Sequence, residues 1–374
     1  MPNDIVSANT DRPGDADAAA HIAEQLGGVD ASAVLVFAGH QRDGAGLVRA
    51  LRERFSGAEV VGCTTAGEFT ERSYGVGGAV AIALPRSKVP RAAAALADFD
   101  GDVLEGVRAA TDAISRKLGG NLRDCDPARY VGIVLLEGLR RKEEAANEAL
   151  GKIAPFLSFV GGSAGDDLRM QETRVYGSGF TSTDGAVLLV LEVRSPFALM
   201  KTSSFRPRTE AFRVTRADPQ ARTVYELDGK PIIDLYSRAL DLPPARLDRS
   251  AFANHPFGLM IEGSPWIRSP QRVLPDGGML FACQLVEGMQ VHVMDPTDLI
   301  DDTRRAIADA ERSLGGPASG AVLFNCVHRR VELEERRLVE PFVDLLRFPT
   351  AGFHTYGESW LGHMNHTLTG LLLG

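Results

Sequence analysis

Three stretches of this chain end in one small signature: a hydroxyl residue, a spacer, a glycine and a carboxylate. They are Thr65-Ala66-Gly67-Glu68, Ser163-Ala164-Gly165-Asp166 and Thr355-Tyr356-Gly357-Glu358. Each follows an apolar run of β character. Ala33-Val34-Leu35-Val36-Phe37 opens the first, Val131-Gly132-Ile133-Val134-Leu135-Leu136 the second and Ala321-Val322-Leu323-Phe324 the third. In the first and last copies the glycine lies 34 and 36 residues after the opening alanine, and His40 and His328 both fall seven residues after it. A signature recurring at a fixed depth marks an internal repeat, and a repeat constrains the fold before any motif is read as chemistry.

Within each copy the period changes. Leu47, Ala50, Leu51 and Phe55 fall on one helix face, whereas the runs before and after them are β-branched and leucine-rich. The third helix is less regular, because Pro341 tolerates only a first-turn position or a kink. A further apolar strand follows each signature: Ala79 to Leu84, Ala186 to Val193, and Leu368 to Leu373. The unit reads strand, helix, strand, loop, strand. Strands this apolar are buried on both faces under helices. The expected fold is therefore α/β, with mixed sheets built from three pseudo-repeated units. The signatures sit just past strand ends, where such folds place ligands. Each glycine also has a plainer role, a backbone turn at positive φ.

Composition narrows the function. A net charge of −8 and a pI near 5.6 argue against a broad interface with nucleic acid or an anionic membrane. The basic runs Arg140-Arg141-Lys142 and Arg329-Arg330 are short and read as solvated. The first twenty residues lack the basic and apolar regions of a secretory signal, and no apolar run reaches membrane-spanning length. Cys63, Cys125, Cys283 and Cys326 are scattered without a CxxC, which reads as reduced thiols in a cytoplasmic protein.

The residues Gly62-Cys63-Thr64-Thr65-Ala66-Gly67-Glu68 and Gly161-Gly162-Ser163-Ala164-Gly165-Asp166 resemble the N-terminal FIST domain. Leu323-Phe324-Asn325-Cys326-Val327-His328-Arg329 and Gly352-Phe353-His354-Thr355-Tyr356-Gly357-Glu358 resemble the C-terminal FIST domain, as does the stretch from Val214 to Gly229. The resemblance spans about residues 30 to 374. It implies a tail over residues 1–16, an N-terminal domain over 17–200 with two repeat units, a connector over 201–222, and a C-terminal domain over 223–374 with the third. It further implies a non-enzymatic sensory module that binds a small ligand and works with a histidine kinase or a cyclic-di-GMP enzyme. Some stand-alone members, of the NosP type, bind haem and sense nitric oxide. Where the family pattern carries a small residue, this chain has His328. The oligomeric state stays open, a homodimer included.

Two readings stand for the signature residues. Thr65, Gly67, Glu68, Ser163, Gly165, Asp166, Tyr356 and Glu358 form turns that could receive a zwitterion, the carboxylates taking its ammonium and Arg329 its carboxylate. Equally, each carboxylate caps its own turn. Cys326 and His328, at strand spacing i and i+2, would share one face and one pocket, or Cys326 is a small buried thiol. Haem requires an axial ligand in an apolar slot. His354, His363 and His366 lie within thirteen residues beside Trp360 and Met364, and His328 and His292 complete the candidates, of which one is expected to serve. An amino acid or another small metabolite is the alternative ligand. Gly161-Gly162-Ser163-Ala164-Gly165 matches a nucleophile elbow, but an elbow must run straight into a helix, and polar residues follow here.

Overall fold

The computed structural model describes residues 4–374. By internal contacts the chain divides into two units. The first comprises residues 4–201, 304–363 and 368–374; the second comprises 202–303 and 364–367.

The first unit contains all three repeats. Each has a core of an opening strand and a parallel second strand joined by a helix, with an antiparallel closing strand. In the first copy these are Ala31–Gly39, Gly44–Arg54, Glu59–Thr65 and Ala79–Pro85. In the second they are Tyr130–Leu136, Glu143–Ile153, Phe159–Ser163 and Gly185–Glu192. In the third they are Gly320–Cys326, Val327–Glu335, Thr350–Thr355 and Thr367–Leu373. An outer strand precedes each copy and pairs with its closing strand: Val6–Thr10, Arg91–Asp98 and Phe197–Ser203. Between each outer and opening strand runs a second helix: Asp15–Leu26, Val103–Leu118 and Leu299–Leu314.

What the sequence did not disclose is an exchange. The short strands after each signature do not join their own sheet. Glu68–Phe69 of the first copy pairs with the third copy's second strand, Val175–Gly177 of the second copy with the first's, and Glu358–Trp360 of the third copy with the second's. Three six-stranded sheets of identical order result: outer, closing, opening, second, then the donated strands. One core serves them all, with Phe37, Phe324 and Phe353 meeting at ring-centroid distances of 4.7, 5.8 and 6.3 Å. The strands are apolar throughout because one face meets this core and the other meets helices.

Several expectations need correction. Residues 1–3 of the expected tail lie outside the described residues, but Val6–Thr10 is a strand and a helix starts at Asp15, so residues 6–16 are no tail. The expected connector over 201–222 is largely one strand, Phe205–Asp218, fourteen residues long. The third repeat does not stand apart as its own domain: it shares sheets and core with the other two, and residues 202–303 interrupt it. Pro341 does break the third helix, falling in the first turn of a separate helix, Val339–Val343.

The second unit is an antiparallel sheet centred on Phe205–Asp218, Gln290–Pro296 and Thr223–Leu227. Helices Ile232–Leu240 and Arg249–Asn254 accompany it. Its core packs Tyr236 with Phe252 and Phe257 at ring-centroid distances of 6.2 and 4.7 Å. Among the described residues no helix is long and apolar enough to cross a membrane.

Candidate functional site: three turns on one another

Strand exchange carries each signature turn onto the next. The amide of Gly165 donates to Thr64 O at 3.1 Å, so the second turn rests on the first. Ala66 N donates to His354 O at 3.0 Å and His354 N to Gly67 O at 2.8 Å, joining first and third. Ser163 N donates to Gly357 O at 2.8 Å and Tyr356 N to Ser163 O at 3.1 Å, closing the ring. Only Gly67 of the three signature glycines has a positive φ, +108°. Gly165 is required by proximity instead, since a Cβ there would lie 2.6 Å from Ala66 N. The expectation of a left-handed turn in every copy therefore holds in one.

The carboxylates are engaged within their own turns. Thr65 Oγ1 donates to Glu68, whose other oxygen accepts from Gly78 N at 3.2 Å, and Thr355 Oγ1 donates to Glu358 in the same way. Burial pushes the Glu68 carboxyl up to about 7, against the pull of Thr65, Gly78, Arg42 and Arg330. Asp166 differs. Its oxygens accept from the amides of Met170, Gln171 and Glu172 at 3.0, 2.6 and 3.1 Å and from the Tyr356 hydroxyl. Burial alone raises its pKa, but these four donors outweigh it and hold the carboxyl below its usual range. The loop they shape runs through left-handed residues at Asp167, Leu168 and Met170 rather than into a helix. Ser163 is completely buried at the end of its strand, its Oγ without a hydrogen-bond partner among the described residues. Neither feature suits a nucleophile elbow, which needs an exposed serine and an immediate helix.

Cys326 and His328 do not lie on one strand. The strand ends at Cys326 and a helix starts at Val327, so the alternation rule does not apply, although Sγ still lies 3.7 Å from His328 Nδ1. Arg329 points into the core at 1% exposure, its Nε donating to Asn325 Oδ1 at 2.8 Å. Its neighbour Arg330, which the sequence reading passed over as solvated, reaches the turns. It donates to Ala66 O at 2.8 Å, Asp167 at 2.6 Å and Glu334 at 2.8 Å. A helix placed from Val327 would have paired Arg330 with Glu334 at i, i+4 and turned it from the core.

His354 is the central imidazole. Its exposure is nil, and the rings of Phe69 and Tyr74 lie 5.2 and 5.1 Å away, centroid to centroid. Nδ1 lies 2.9 Å from Asn325 Nδ2. Because Asn325 Oδ1 already accepts from Arg329, the amide presents N–H to Nδ1, and the proton of the neutral ring resides on Nε2. Burial, then Arg330 and Arg329, depress the imidazole well below its usual pKa. Nε2 and the buried Tyr74 hydroxyl both lack a hydrogen-bond partner among the described residues. Tyr74 is held as a phenol by burial and by Glu334.

The other candidate histidines are distributed differently. His363 is buried in the first unit against Gly357. His366 and His292 belong to the second, His366 edge-on to Phe205 at 5.3 Å and His292 with Nδ1 3.0 Å from Arg208 O. His354 and His363 are both tightly enclosed. A Cβ on Gly67 would meet His354 Cδ2 at 3.0 Å, and one on Gly357 would meet His363 Cε1 at 2.1 Å. Both rings are packed against backbone at these glycines.

The profile of the FIST N domain matches residues 32–230, and that of the FIST C domain matches residues 233–360. No match is found among curated proteins. FIST domains are sensory, small-ligand-binding domains of signalling proteins. With an N and a C domain in succession over most of its length, the chain belongs to the FIST family.

Proposed function

We propose that this protein is a non-enzymatic cytoplasmic sensor for a small carboxylate metabolite, such as an amino acid, bound beside the signature turns. A separate histidine kinase or cyclic-di-GMP enzyme reads its occupancy. The observation carrying this reading is the pair of buried donors without partners, His354 Nε2–H and the Tyr74 hydroxyl, on rings 5.1 Å apart. A buried polar group left unsatisfied costs about 1–3 kcal/mol, and a ligand that accepts from both offsets that cost. Two neutral donors flanked by the Arg330 guanidinium favour an acceptor-rich anion over an ammonium. Glu68 and Glu358 accept from the hydroxyls of their own turns, and Asp166 accepts from its loop amides and from Tyr356, so their part is to hold the frame.

Calorimetry with the twenty amino acids and simple carboxylates tests this. A saturable ligand is expected, and Tyr74→Phe should weaken it five- to tenfold with the thermal midpoint nearly unchanged. A haem titration of the same protein is the opposing arm. A saturable Soret band that moves with nitric oxide, with no carboxylate bound, would overturn the proposal.

A further inference from the structure

At the end of the second sheet away from its signature turn, three strands meet on one line of register: Arg91, Glu192 and Tyr130 are cross-strand partners. Glu192 is only 7% exposed. One of its oxygens accepts from Arg91 Nε at 2.5 Å and the other from Arg129 Nη2 at 2.6 Å. Arg91 is pinned further, donating to Leu118 O at 2.6 Å and to the Tyr130 hydroxyl at 3.0 Å. A single buried carboxylate thus sets two half-exposed guanidiniums side by side.

They border a cleft of about 610 Å³, which Arg194, Ser195 and two prolines, Pro90 and Pro196, also line. Arg194 makes no ion pair among the described residues. The Ser195 hydroxyl is buried without a hydrogen-bond partner among them. Three guanidiniums against one carboxylate leave the cleft a net charge of +2, on a chain whose net charge is −8.

The sister copies show that the repeat does not need these charges. At the position of Glu192 the first copy has Leu84, opposite Ala33, and the third has Leu373, opposite Gly320. Both close their sheets without a charge there. The charged triad is specific to the second copy, which separates it from the architecture.

We propose that this cleft is a second binding site, for a small organic oxyanion. Arg129 and Arg194 grip the anion, Ser195 donates its hydroxyl, and Arg91 remains committed to Glu192. Guanidiniums pair bidentately with phosphates and carboxylates alike. Phosphate esters and dicarboxylates are accordingly the two sources of this chemistry. Neither His354 nor Tyr74 takes part, so the site stands or falls apart from the sensor pocket.

The test is calorimetry on the full chain at low salt, with glycerol 3-phosphate in one arm and succinate in the other. One-to-one saturable binding of either is expected, at least tenfold weaker in Arg194→Ala and in Arg129→Gln and unchanged in Tyr74→Phe. The arm that saturates identifies the source. Arg194 holds nothing else in place, so its variant should melt at the wild-type temperature. Failure of both probes to saturate, or wild-type binding by Arg194→Ala, overturns the proposal.

Discussion

Glu68 and Asp166 occupy the same place in sister repeats and both expose little surface, at 3% and 1%, yet Glu68 lies deeper in the protein and their acidities move in opposite directions. Glu68 receives one hydroxyl and one amide, and burial wins. Asp166 receives three amides and a phenol, and burial loses. Repetition copies a backbone position. The depth of that position and the number of donors aimed at it together decide its charge.

The largest expected effect comes from Asp166→Ala, which orphans three amides at once and should destabilise the protein by about 3–4 kcal/mol in urea unfolding. A loss below about 1 kcal/mol would show that solvent reaches those amides and would end the contrast with Glu68.

Glu68→Gln comes next, and its signature is in pH. The folded Glu68 carboxyl titrates near 7 against 4.5 for the free group, so between those values the native state binds the proton that the unfolded state has lost. Stability from this group therefore falls as pH rises from about 4.5 to 7, by up to about 3 kcal/mol. Glutamine, a mimic of the protonated acid, should flatten that slope. An unchanged slope would place Glu68 in contact with water. His354 contributes the opposite sense, its depressed pKa costing stability as pH falls below its ordinary value near 6.5. Asp166, held low, loses its contribution only in acid.

Tyr356→Phe removes one of the four donors on Asp166 and should cost about 1–2 kcal/mol while moving the acid limb of the stability curve upward in pH. Gly67→Ala combines backbone strain with crowding, since its Cβ would lie 3.0 Å from Gly75 O and from His354 Cδ2. At φ +108° an alanine is strained, and the expected cost is about 1 kcal/mol in thermal unfolding, with the slope owed to Glu68 preserved.

Much of this was legible in the chain. The closing strands begin within a residue of where the apolar runs placed them, and the alternation between β-type runs and the Leu47–Leu51 helix face located each repeat. The signature turns were rightly found as architecture first. The exchange was not legible, because Glu68–Phe69 and Val175–Gly177 are too short for a period to show and pair with strands more than a hundred residues away. Arg329 and Arg330 could not be told apart without knowing that the helix starts at Val327. The same boundary removed the shared strand face assigned to Cys326 and His328. In the sequence His354 is one of a cluster of histidines, and its pairing with Asn325, 29 residues earlier on the neighbouring strand, is visible only in the fold.

The exchanged strands also set a schedule for folding. During synthesis the first copy's sheet waits for residues 175–177, the second's for 358–360, and the third borrows from a segment made nearly 300 residues earlier. Until residue 360 emerges, the strand Phe159–Ser163 keeps an unpaired edge of the kind that recruits other chains. A truncation within the last repeat would thus do more than delete a domain. It would leave the second copy's sheet open, and aggregation rather than a stable fragment would follow.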